Sequence, residues 1–202
     1  MIHLVWKLPL MALCLLLGVG YFLELVQVVR WADWDAESMI WFLSGFGILV
    51  PVWFLFLRKA GFFSTFEHEF THLLVGLLFL KKPHSFNVHH QSGGLVQMYG
   101  GNFLITFFFY FLLTLVLLEL PFFWLLKPEY YPPFFGIMGF LTAFTILSGF
   151  QEFHFKQPDL RQCGLVFSTV FVLFGNLLFL GFIFAFVVGQ FELGWGYLKG
   201  GP

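Results

Sequence analysis

Charge is scarce in this chain. Of its 202 residues only 10% are charged, against about 25% in soluble domains. So few charges cannot cover a globular surface of this size, and 59% of the residues are hydrophobic. The expectation is an all-α integral membrane protein, one helical bundle spanning residues 1–202, with the lipid bilayer as its surroundings. A net charge of -1 supplies no basic field and argues against a nucleic-acid partner. Cysteine is sparser still. Cys14 and Cys163 lie in or beside apolar runs and do not read as a disulfide framework. Aspartate occurs three times, as Asp33, Asp35 and Asp159, so any role that needs one has few candidates.

What is abundant is long apolar sequence. Six runs stand near the ~20 residues that cross a hydrocarbon core. They are Leu8–Val29, Met39–Leu57, Gly61–Leu80, Asn102–Leu120, Phe134–Phe150 and Cys163–Val188. The first follows Lys7 like a signal peptide, but it is long and lacks a small-residue cleavage site, so a retained helix is expected. Trp31 and Trp34, in the first connection, suit a membrane–water boundary. With six alternating spans the basic residues split five against five, and the positive-inside rule gives no orientation. Apart from the third, the spans look nearly bare of ionisable residues save Glu24 and Glu119 near their ends. Residues 84–101 differ: they are polar, partly alternating and carry Gly93-Gly94, which predicts a short membrane-associated β-hairpin or loop after the third span.

The third run contains His68-Glu69-Phe70-Thr71-His72. Residues four apart share one helix face, so both imidazoles can reach one Zn2+, with Glu69 beside them as general base toward an activated water. A chance match somewhere in such a chain has a probability on the order of one in a hundred. Ionisable side chains in a membrane helix are costly, which adds to the case for a metal site. A two-histidine zinc site needs a third protein ligand and an open position. Asp159 follows Pro158 at the start of the last span, where it serves either as a helix cap or as that ligand. Glu152, His154 and Cys163 are alternatives.

Taken together, the His-Glu-x-x-His helix, the Gly-rich strand-like loop and an aspartate opening a later span resemble the site-2 protease family of intramembrane zinc metallopeptidases. The resemblance covers about residues 61–180. It implies Zn2+ held by His68, His72 and Asp159, with Glu69 activating water. It further implies that Asn87, His89, Gly93, Gly94 and Leu95 lie in a β-structure that binds substrate, and that this loop faces the cytoplasm. Asp159 is followed by Leu160, where the family has glycine. The division expected is two N-terminal spans in 1–60, a catalytic core in 61–190 and a polar tail in 191–202.

These readings predict a multi-pass protein, expected in a bacterial cell membrane. It would hydrolyse peptide bonds within or near the transmembrane segments of protein or peptide substrates. Strand addition onto residues 86–99 would unwind a helical substrate. The alternatives are a membrane metal-binding or transport protein, or a catalytically dead adaptor that binds membrane helices. A conduit needs polar groups staged along the spans, which the near-bare spans disfavour.

Overall fold

The computed structural model describes residues 6–89, 93–99, 103–153, 160 and 163–200. Asp159 and His154 lie outside them. Most of the chain is helical, with one small antiparallel sheet. Among the described residues four helices are long and apolar enough to cross a membrane: Lys7–Trp31, Glu37–Ala60, Pro128–Glu152 and Leu165–Lys199.

Helix α1 runs Lys7–Trp31. Asp33 then closes a side-chain turn, its Oδ1 accepting from the Asp35 amide at 3.1 Å. Helix α2 starts at Glu37 and continues to Ala60. Pro51 lies inside it, and residues 53–57 widen into a π-helical turn just beyond. Gly61, at φ 63°, reverses the chain into α3, Phe62–Leu78. At 1.5 Å per residue α3 is about 26 Å long. Leu80, at φ 55°, ends it, with the Lys81 amide donating back to Gly76 O at 2.9 Å.

Strands β1 (Pro83–His89) and β2 (Gly93–Met98) pair antiparallel, the hairpin rather than the loop alternative, with Gly93 and Gly94 inside β2. The fourth apolar run is not one helix. It divides into α4, Phe103–Phe108, an irregular stretch at 109–113, and α5, Thr114–Glu119, which tightens into a 3-10 turn. Backbone freed at such a break must find partners when it is buried. Tyr110 O accepts from Asn176 Nδ2 at 2.9 Å, and Leu112 O from Thr114 Oγ1 at 3.2 Å.

Helix α6 is Tyr131–Glu152 and α7 is Leu165–Lys199. The stretch read as a polar tail is helical to Lys199. The chain bends at Gly189 and Gln190 and folds back, so that buried Tyr197 donates to Leu177 O at 2.7 Å.

Two helix pairs organise the bundle. Helices α1 and α7 run parallel, with Trp6 against Phe167 and Gly18 against Leu177. Helices α2 and α6 also run parallel, with Phe42 against Gly139 and Trp53 against Phe144. A methyl group on Gly139 would overlap the Phe42 carbonyl, and one on Gly45 the Gly136 carbonyl, so the two backbones touch. Helix α3 packs antiparallel to α6, as the pairs Ser64–Glu152 and Glu67–Ser148 require. In six alternating spans the second and fifth would be antiparallel. Here residues 79–130 bring the chain back to the end of the bundle where α3 finished. The five-against-five charge tally loses its basis with that geometry.

Candidate metal centre

His68, Glu69 and His72 sit midway along α3, with His68 and Glu69 both 8% exposed. The two imidazoles turn toward each other as their spacing predicts. His68 Nε2 and His72 Nε2 are 2.9 Å apart, and the rings meet edge to face at 4.5 Å between centroids. Two nitrogens bound tetrahedrally to one zinc at 2.0–2.1 Å lie about 3.3 Å apart. The pair therefore fits a shared ion with a shift of a few tenths of an ångström.

The second nitrogen of His72 is fixed by α4. His72 Nδ1 lies 2.8 Å from Ile105 O. A carbonyl only accepts, so Nδ1 carries the proton and Nε2 presents its lone pair to the centre. His68 is walled by Phe109, 4.2 Å between centroids, and by the edge of Tyr110 at 6.0 Å. The break at 109–113 supplies both rings.

Glu69 faces the hairpin. Its Oε2 accepts from the Val96 amide at 2.8 Å. Gly94 lies directly against it: a methyl group there would overlap Glu69 Cγ and stand 2.9 Å from Thr65 Cγ2. Of the expected substrate residues, Asn87 pairs with Leu95 and His89 with Gly93 across the hairpin, and Gly94 pairs with Val88. The structure thus brings Gly94 to Glu69 and keeps the other four in the same two strands.

The third-ligand expectation divides. Asp159 and His154 are outside the described residues. Glu152 Oε1 accepts from Ser64 Oγ at 3.2 Å, near the start of α3. The Cys163 carbonyl accepts from Lys7 Nζ at 2.7 Å. Among the described residues, no three His, Cys, Asp or Glu side chains form a metal-holding group. Leu160 is buried in the cluster that contains Phe109 and Tyr110, the rings flanking His68.

One feature escaped the sequence reading. Glu67, 2% exposed, accepts hydrogen bonds from Thr145 and Ser148 of α6. Ser64 on the same face meets Glu152 and Gln151, and Thr71 meets Thr114 at 2.8 Å. The helices are therefore not nearly bare of polar groups, as the count of Glu24 and Glu119 suggested. The stripe was signalled by α3 positions 64, 67 and 71 and by α6 positions 142, 145, 148 and 151, at helical spacing. Behind it, a cavity of about 260 Å³ lies between α6 and α7, touching Tyr110, Thr145 and Asn176 and reaching exposed Phe150 and Leu173.

The chain matches no family model, no curated protein and no solved structure.

Proposed function

We propose that this protein is an intramembrane zinc metalloprotease. The observation that carries the reading is the convergence of two imidazole nitrogens 2.9 Å apart on a short helix, with a glutamate beside them bonded to a hairpin edge. His68 and His72 would hold the ion, with Asp159 as third ligand. Support for Asp159 is limited to its sequence neighbour Leu160, which is buried in the cluster that also holds Phe109 and Tyr110. Zinc, when bound, polarises a carbonyl and makes water acidic enough to ionise near neutral pH.

The residues of the chain do the rest. His72 is held in one tautomer by Ile105 O. Glu69 is the base that takes a proton from water and returns it to the leaving amine. The hairpin offers backbone to an extended peptide, and Phe109 and Tyr110 screen His68 from bulk water. The four long helices embed this centre in the bilayer, with α3 and the broken 103–124 segment completing the membrane-buried part.

A second reading, metal or proton passage, is favoured by the Ser64–Glu67–Thr71 stripe along α3. It predicts ion flux in proteoliposomes. The protease reading predicts cleavage of single-span peptides by wild type and none by Glu69→Gln, with zinc retained in both. Zinc content in purified wild type equal to that of His68→Ala would sink the metal centre itself.

A further inference from the structure

The Val96 amide makes a bond that strand addition cannot leave in place. In an antiparallel hairpin, residues alternate between amides that point to the partner strand and amides that point away. Val96 sits opposite Phe86 yet donates to Glu69. Its N–H therefore belongs to the outer edge of β2, the edge that lies on α3. Gly94, two residues earlier on the same edge, has no side chain to hold the helix away. A peptide that adds to this edge must take the Val96 N–H from the carboxylate.

We propose that the Val96 N–H is a shared donor. In the resting protein it positions Glu69, and on binding it passes to a backbone carbonyl of an extended peptide, which releases the carboxylate. Substrate binding and freeing of the base are then one exchange of hydrogen bonds, with no covalent change. An unloaded site keeps its base engaged. The occupant, an extended peptide, rests on the protease reading; the competition for the donor does not. Gly94 is the residue that makes the approach possible, and Val96 acts through Glu69 as a positioning residue.

The test uses zinc-loaded protein in micelles and a fluorescent single-span peptide. Glu69→Gln keeps an acceptor for Val96 but lacks the base, and Glu69→Ala has neither, so binding is read without turnover. Glu69→Ala should bind the peptide about three- to tenfold more tightly than Glu69→Gln, because one hydrogen bond no longer competes. In a Val96→Pro background, which has no N–H, that difference should vanish and both proteins should bind more weakly. Val96→Ala, which retains the amide, should behave as Val96. Should Val96→Pro not fold, amide exchange at Val96 decides: slow in Glu69→Gln, fast in Glu69→Ala, and slowed again by peptide. Equal affinities for Glu69→Gln and Glu69→Ala, a gap that persists in Val96→Pro, an amide unaffected by residue 69, or no peptide bound by Glu69→Ala overturns the proposal. Wild type incubated with the same peptide separates the two ideas. Coupling without cleavage leaves the exchange and removes the protease; cleavage without coupling does the reverse.

Discussion

Glu67 offers the sharpest physical test of how the motif helix is held. Glu67→Ala deletes the acceptor for both Thr145 and Ser148 at a site 2% exposed. Interhelical hydrogen bonds in membrane proteins average about 0.6 kcal/mol, with a maximum near 1.7. Two such bonds give about 1–3 kcal/mol. The upper end is checked by the hydroxyls themselves, since serine and threonine in a helix can turn to the carbonyl four residues back. Thr142 does this already, donating to Met138 O at 2.7 Å. Glu67→Gln keeps the volume, accepts from one hydroxyl and donates to the other, and should lose less than about 1 kcal/mol on the same scale. Reversible unfolding in mixed micelles, followed by tryptophan fluorescence, measures both. If Glu67→Ala matches wild type within a few tenths of a kcal/mol, the hydroxyl clamp is not what docks α3 on α6. If Glu67→Gln is as damaging as Glu67→Ala, charge rather than hydrogen bonding is responsible.

Other perturbations read other parts of the structure. Gly139→Ala forces a methyl group into the Phe42 carbonyl and should destabilise by about 1–3 kcal/mol as an overpacked contact. Gly47→Ala has open space around it and should be neutral or stabilising by up to about 1 kcal/mol through helix propensity; parallel melts of the two, with equal losses, would refute the α2–α6 contact. Asn176→Leu leaves Tyr110 O without its side-chain donor and should cost about 1–3 kcal/mol; an unchanged melt would show that the break at 109–113 needs no tie to α7. Tyr197→Phe removes the bond to Leu177 O and should free the folded-back end of α7, read as faster trypsin cleavage at Lys199.

The parts legible in the sequence were those set by local pattern. Long apolar runs gave α1, α2, α6 and most of α7, and the four-residue spacing of His68 and His72 gave their shared face. Gly93-Gly94 with alternating neighbours gave the hairpin. The break at 109–113 was not legible, because no proline or glycine lies there to announce it. It is stabilised by Asn176, far along the chain, and by burial of Tyr110, Phe111 and Leu113. The backward fold after Gly189 likewise depends on where Tyr197 finds an acceptor. Glu67 is not legible from the motif beside it, because its partners Thr145 and Ser148 lie on a helix whose adjacency no local pattern states.

These features share a cause, and it bears on how the histidine pair is surrounded. The groups around the histidine pair are placed by contacts that lie elsewhere in the chain. Breaking the fourth run lets Ile105 O reach His72 Nδ1 and lets Phe109 cover His68. A continuous helix through 103–124 would bond the Tyr110 carbonyl within itself, and Asn176 would lose its partner there. Residues 79–130 return to one end of the bundle, and within them β2 lies against Glu69 through the Val96 amide. Parallel packing of α2 and α6, with glycine on both sides of the contact, then leaves α6 antiparallel to α3 and aligns Thr145 and Ser148 with Glu67. The motif supplies two imidazoles and a carboxylate. Their orientation is set by three tertiary choices, and none of the three can be read from the motif.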